Sequence, residues 1–337
     1  MNFLKLFYLL IGLAILAVVA GEIDLAEVTA KVLEIGWGMA LVLGIYFLAF
    51  VIDSFTWLMA LVEVPLSARW LYRTWKVRMV GEVFNNVIPA GGMGGEPIKA
   101  VLVKRYYGIG YREGTASLIL AKTVNLLALV IFLALGFALM LQSDRLGGSF
   151  KLAAGMGLSA LGLGIVLFFA VQRLKITSIT GSWLSRWRFA RRIEDILHHI
   201  HDMDGRLVHF YSAHKGRFAW AVVLGLVNWL LGILEIYYAM LFLGHPATLA
   251  EAWIIEAAVQ LVRAGTFFIP ASIGAQEGVF LLVFSAMTGS PVLGVAVAMV
   301  RRFREILWIG WGLLLGSMFS FMPAFAEDAD SPTGEDD

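Results

Sequence analysis

Apolar runs at about 3–20, 38–63, 115–141, 150–171, 218–243 and 303–322 are each long enough to cross a bilayer. Hydrocarbon offers no partner to backbone polar groups, so spans of this kind must satisfy their own hydrogen bonds as helices. Composition agrees: 60% of the 337 residues are apolar and 15% are charged. A mean hydropathy of +0.81 is more than a water-soluble domain can hide. The chain reads as an all-α polytopic membrane protein. With no cysteine, disulfides, thiolate metal ligands and cysteine nucleophiles are excluded. Residues 1–20, where Lys5 precedes an apolar run, also fit a signal peptide, but the spans that follow favour a retained first helix.

Basic residues set the expected orientation. Arg69, Arg73, Lys76 and Arg78 read as one basic loop, and Lys99, Lys104, Arg105 and Arg112 as a second. Residues 173–217 form a third, and Arg301, Arg302 and Arg304 a fourth. Glu22, Asp24, Glu27 and Glu34 follow the first span. Basic loops face the cytoplasm, which puts the N-terminus inside and the chain in the cell inner membrane. Two more apolar stretches, 79–103 and 252–300, are interrupted by Pro, Gly and ionisable residues. Both flanks of 79–103 are then cytoplasmic, so it must enter and return as a re-entrant hairpin. Within 173–217, residues 189–211 carry apolar side chains at helical spacing and read as an interfacial helix. His198 and His201 there lack a His-Glu-x-x-His pattern, and no metal is expected.

The sequence also repeats itself at an offset of about 181 residues. Ile88-Pro89-Ala90 followed by Glu96 matches Ile269-Pro270-Ala271 followed by Glu277. Lys122-x-x-Asn125-Leu126-Leu127 matches Arg302-x-x-Glu305-Ile306-Leu307, and Val42-Leu43-Gly44 matches Val223-Leu224-Gly225. Asp53 lies where Glu235 does, to within one position. Span counting inverts one half relative to the other, giving an inverted-topology repeat with two opposed re-entrant hairpins. The divisions are a first helix and acidic external segment (1–37), repeat 1 (38–172, hairpin 79–103) and a basic cytoplasmic loop (173–217). Repeat 2 (218–322, hairpin 252–278) and an acidic, disordered tail (323–337) complete them.

Asn85, Asn86, Pro89 and glycines 91, 92, 94 and 95 cannot run through lipid as one continuous helix. Such backbone is tolerated where it is buried in protein or lines a wet cavity. Pro97 suits the first turn of a new half-helix, whose free N–H groups, helped by Lys99, favour an anion such as a lipid phosphate. A plain packing hairpin is the alternative. Asp53, Lys122, Glu235, Glu256 and Arg263 lie within apolar spans, where each costs about 2.5–3.5 kcal/mol unless it faces a cavity or a partner. Their mixed signs suggest pairs, for example Glu256 or Glu277 with Arg263. The Trp residues at 57, 70, 75, 308 and 311 read as interfacial anchors or packing.

At these residues the chain resembles a flippase-like membrane family that includes the transmembrane region of lysylphosphatidylglycerol synthases. The resemblance covers about 38–320. It rests on Phe84-Asn85-Asn86 through Gly94-Gly95-Glu96 and on Arg263 with Ile269-Pro270-Ala271 through Gly274-Ala275-Gln276-Glu277-Gly278. Arg301-Arg302-Phe303-Arg304-Glu305 completes it. The last two pieces are most similar to the hopanoid-biosynthesis-associated subgroup. Many members have an Arg and an acidic residue where this chain has Lys122 and Asn125. The resemblance implies movement of a lipid or lipid-linked molecule between leaflets. Family synthases add a cytoplasmic aminoacyltransferase domain, for which the residues after Met322 leave no room.

The expected headgroup-binding set is Asn85, Asn86, Gly92, Gly94, Gly95, Glu96, Lys99, Lys122, Arg263, Gln276, Glu277, Arg302 and Glu305. Asp53, Glu235 and Glu256 are candidate proton or ion-pair sites. The expected partners are membrane lipids (phospholipid, hopanoid-related or polyprenyl-linked) and lipid-biosynthetic enzymes. No cofactor, metal or nucleic acid is expected. Two other readings are a scaffold acting through 173–217 and a membrane-embedded lipid-modifying enzyme, although no His lies in a core span.

Overall fold

A computed structural model of the chain describes residues 30, 33–87, 94–173, 213–266, 269, 272–317 and 319. These residues form nine helices and no strand. They are α1 Gly38–Ala60, α2 Ala68–Val87, α3 Glu96–Tyr107, α4 Tyr111–Gln142, α5 Gly148–Arg173, α6 Lys215–Phe242, α7 Leu249–Gly265, α8 Ala275–Thr288 and α9 Pro291–Ser317. Four are long and apolar enough to cross a membrane: α1, α4, α5 over Gly148–Leu167, and α6. The expected span 3–20, the interfacial helix 189–211 and the tail 323–337 lie outside the described residues.

Local signals explain where the helices start and stop. α3 begins with Pro97 in its first turn and ends at Gly108, whose φ of 71° is left-handed. α7 starts on a capping box in which Glu251 N–H donates to Thr248 Oγ1 (3.2 Å) and Thr248 N–H donates to Glu251 Oε2 (2.8 Å). α9 opens on Pro291, twelve residues before the expected span at 303–322. Arg301, Arg302 and Arg304 are therefore not a cytoplasmic loop but mid-helix residues, and Arg301 and Arg304 are buried. Likewise Arg69, Arg73, Lys76 and Arg78 lie along α2 rather than in a loop.

The order long helix, two helices around a break, long helix occurs twice, as α1–α4 and as α6–α9. Some contacts between the two sets interchange when the sets are swapped, α2 packing on α9 as α7 does on α4, with α1 against α6; α6 also packs on α4 without an equal contact of α1 on α9. α1 and α6 run antiparallel. At one end Gly38 leaves no room for a Cβ against the Phe242 ring. At the other, Arg217 donates to the carbonyls of Leu61 (3.4 Å) and Val62 (3.5 Å).

The open ends of the two broken pairs lie at opposite ends of α4. Trp70 at the start of α2 meets Tyr107 at the end of α3, ring centroids 5.9 Å apart, and α4 begins just beyond at Tyr111. Past the other end of α4, Arg145 reaches Glu251 at the start of α7 (2.7 Å) and the Met287 carbonyl at the end of α8 (3.3 Å). One apolar core joins α4, α6, α7, α8 and α9, and a second joins α1–α4. Two of the tryptophans expected as anchors or packing are packed: Trp57 and Trp308 are buried, and Trp57 Nε1 donates to Ser117 Oγ (3.0 Å).

α2 and α9 touch through Gly312, where an added Cβ would strike the Met79 carbonyl and Val83; two residues earlier Gly310 faces open space. Gly312→Ala should lower the unfolding temperature in detergent, with a cost of about 1–3 kcal/mol from overpacking. Gly310→Ala should leave it unchanged or raise it slightly through helix propensity.

Candidate functional site

Six helices turn one polar stripe each toward a shared cavity of about 540 Å³. α1 contributes Tyr46, Phe50 and Asp53, and α2 contributes Arg78, Glu82 and Asn85. α4 supplies Lys122 and Asn125; α6 supplies Asn228, Trp229 and Glu235. α7 adds Glu256, Gln260 and Arg263, and α9 adds Arg301, Arg304, Glu305 and Trp308. Apart from the adjacent pairs 228/229 and 304/305, the spacing within each helix is three, four or seven residues, so each set occupies one face. Asn228 and Asn125 stand near the middle of α6 and α4, so the cavity sits partway along spanning helices.

Five basic and five acidic side chains line this space. Ionised groups at such depth persist only when paired or wetted. Most are paired. Arg78 bridges to Asp53, and Asn125 Nδ2 donates to the same carboxylate (2.7 Å). Glu235 holds Arg304, Glu256 holds Arg301, and Arg301 Nε lies 3.4 Å from Glu235, linking α6, α7 and α9 in one buried network. Gln260 Nε2 donates to Glu256 (2.7 Å). The Arg304 guanidinium also covers the face of Tyr46, 3.7 Å from the ring centroid. Arg263 differs: half-buried on the cavity wall, it has no carboxylate within ion-pair distance among the described residues. The expected pairing of Arg263 with Glu256 or Glu277 is thereby corrected. Both acids are taken by arginines of α9, which the longer helix carries into the interior.

The broken elements present matched ion pairs beside the cavity. Glu96, in the first turn of α3, lies 2.9 Å from Lys99 Nζ and 3.4 Å from Lys122 Nζ of α4. Glu277, in the first turn of α8, lies 2.5 Å from Arg302 Nε of α9, and Arg302 also holds Glu305 (2.7 Å). Glu96 with Lys122 and Glu277 with Arg302 are the same positions in the two copies of the sequence pattern. Asn85 spans the first break: its Oδ1 accepts from Gly95 N–H (2.8 Å) and its Nδ2 donates to Glu82 (3.2 Å). On the far side of the second break, Gly274, at φ 80°, caps α8 by donating its N–H to Glu277 Oε2 (2.8 Å). Among the described residues no group of three His, Asp or Glu side chains is placed to hold a metal.

Comparison with known proteins bears on this charged interior. The profile of the lysylphosphatidylglycerol synthase TM region matches residues 6–311. The chain belongs to that family. It is 21% identical over 308 residues to a UPF0104 membrane protein of Methanothermobacter thermautotrophicus, covering 87% of each chain. It is 25% identical over 245 residues to a UPF0104 membrane protein of Pyrococcus horikoshii, covering 68% of this chain and 71% of the relative. No solved structure matches it. As a member of this family, the chain is a multi-pass membrane protein.

Of the expected binding residues, Asn85, Lys122, Arg263 and Glu305 line the cavity, as do Asp53, Glu235 and Glu256. Glu96, Lys99, Glu277 and Arg302 stand outside its lining, in the flanking ion pairs. Gln276 is fully buried, and neither side-chain amide atom has a hydrogen-bond partner among the described residues. Gly94 and Gly95 form the turn into α3, where an added Cβ on Gly95 would strike the Gly81 carbonyl. The Asn86 side chain and Gly92 lie outside the described residues. Sequence reasoning missed Arg78, Asn228, Gln260, Arg301 and Arg304 as cavity residues. Helical spacing across 301, 304, 305 and 308 is the signal that finds the last two, once α9 is taken as unbroken.

Removing one partner of a buried pair strands the other charge. Glu256→Ala should therefore cost about 3–5 kcal/mol in reversible unfolding. Arg145→Ala removes an ion pair whose arginine is 60% exposed and should cost about 1 kcal/mol or less.

Proposed function

We propose that the protein is a lipid translocase that carries an anionic, phosphate-bearing headgroup through the central cavity while the hydrocarbon chains stay in the bilayer. The observation that carries this reading is a cavity of about 540 Å³, lined by charged groups and set among spanning helices. Arg263 is the side chain that receives the phosphate, because the other arginines on the wall already hold carboxylates. Lys122 assists by exchanging Glu96 for the headgroup. Phospholipids, hopanoid-related lipids and polyprenyl phosphates are the cargo classes to test.

The two broken pairs act in this scheme as re-entrant hairpins entering from opposite faces, within an inverted-topology repeat. Supporting it are the antiparallel α1 and α6 and the two hairpin mouths at opposite ends of α4. The first mouth, rich in Arg and Lys, is assigned to the cytoplasm, with the N-terminus on the same side of the inner membrane. Reaction chemistry is less well supported than transport, since the cavity lining contains no histidine among the described residues.

In liposomes carrying labelled phosphatidylglycerol, the wild type should speed exchange between leaflets. Arg263→Gln should slow it by about tenfold or more, the value of one charge-assisted hydrogen bond. Wild-type exchange no faster than in empty vesicles, across all three cargo classes, contradicts the proposal. A cysteine at Gly92 should label from the cytoplasmic side and one at Ile273 from outside, Ile273 being preferred because Gly274 needs a positive φ; the reverse pattern contradicts the topology.

A further inference from the structure

A second cavity, of about 230 Å³, lies between α3 and α4. Its floor is one face of α4, Tyr111, Thr115, Ile119 and Lys122, and its wall is the first turn of α3 at Glu96. The stripe from Tyr111 to Lys122 runs roughly 16 Å along the helix at ~1.5 Å per residue. It begins at an exposed tyrosine beside the mouth of the first hairpin and ends on Lys122, which also lines the central cavity. The groove and the charged site thus share one wall residue, Lys122.

Two buried polar atoms at the groove, Thr115 Oγ1 and Glu96 Oε2, have no hydrogen-bond partner among the described residues. Gln276 at the start of α8 is likewise buried without a partner among the described residues, so it is openness that separates the two halves. The matching seam in the other half, between α8 and α9, is closed. There Gly294 presses on the Phe280 carbonyl, Val295 and Val300 are buried, and Arg302 sits 2.5 Å from Glu277. In the first half the equivalent ion pair is looser, with Lys122 3.4 Å from Glu96 and its side chain 43% exposed.

We propose that the α3–α4 groove is a lateral portal that holds one hydrocarbon chain of a membrane phospholipid whose headgroup phosphate is handed to Lys122. The portal rests on the translocase reading and specifies its route of entry. The apolar stripe takes the chain, the Thr115 hydroxyl donates to the ester or phosphate oxygens, and Lys122 leaves Glu96 for the phosphate as the headgroup passes inward. The closed α8–α9 seam is the same portal in its shut form, serving the opposite leaflet.

Because the chain has no native cysteine, a benzophenone-maleimide can be placed singly. On Ile119→Cys, in vesicles of phosphatidylglycerol and phosphatidylethanolamine, photolysis should join the protein to phospholipid through an acyl chain. Adding Lys122→Ala should cut that yield by about tenfold. On Leu163→Cys, 60% exposed on α5, labelling reports surrounding lipid and should not respond to Lys122→Ala. Equal yields at position 119 with and without Lys122 overturn the portal. Ile119→Trp should slow leaflet exchange about tenfold with an unfolding temperature close to that of wild type. Unchanged exchange in that folded variant overturns the portal while leaving translocation standing. If the wild type moves no lipid yet position 119 still labels in a Lys122-dependent way, translocation falls and the lipid site remains.

Discussion

Charge in hydrocarbon is expensive, and the arrangement of this molecule follows from how that cost is met. α9 carries three arginines and a glutamate through its middle, which no lipid-facing helix tolerates. It is held among α6, α7 and α8 because Glu235, Glu256 and Glu277 meet Arg304, Arg301 and Arg302 respectively. These contacts fix how the helices of the second half sit against one another. On the first half, Asp53, Arg78 and Asn125 tie α1, α2 and α4 in a similar way. The paired charges leave a polar space between them rather than a dry core, and Arg263 on its wall is a cation without a carboxylate among the described residues.

The two breaks follow the same logic. A helix interrupted inside a protein exposes backbone groups that must find partners there. Asn85 bonds Gly95 across one break, and Glu277 caps the helix that follows the other by accepting from Gly274 N–H. Each half-helix then opens with a glutamate that reaches a cation on the long helix after it. The two pairs differ in tightness, 3.4 Å for Glu96 with Lys122 against 2.5 Å for Glu277 with Arg302. That difference accompanies an open groove on one side and a closed seam on the other.

The helical membrane fold and the repeated pattern were legible from apolar run length and from Ile-Pro-Ala with its following glutamate. The cavity was legible only in part. Asp53, Glu235 and Glu256 stood out because an acid in an apolar run is conspicuous. Arg301 and Arg304 did not, because three arginines in four residues look like a loop marker until each is given a buried acid from another helix. Arg78 was hidden in the same way at the end of a basic cluster. The partners of these residues lie 25 to 69 positions away in sequence, and no local rule reports pairing at that range.

The central claim is that the space beside Arg263 takes an anionic headgroup. Native mass spectrometry of the protein, extracted from vesicles of equal phosphatidylglycerol and phosphatidylcholine, tests it without relying on transport. The account predicts that the wild type retains phosphatidylglycerol in preference and that Arg263→Gln loses the preference while keeping its fold. Equal retention of the two lipids by the wild type, or a preference that survives Arg263→Gln, would contradict it.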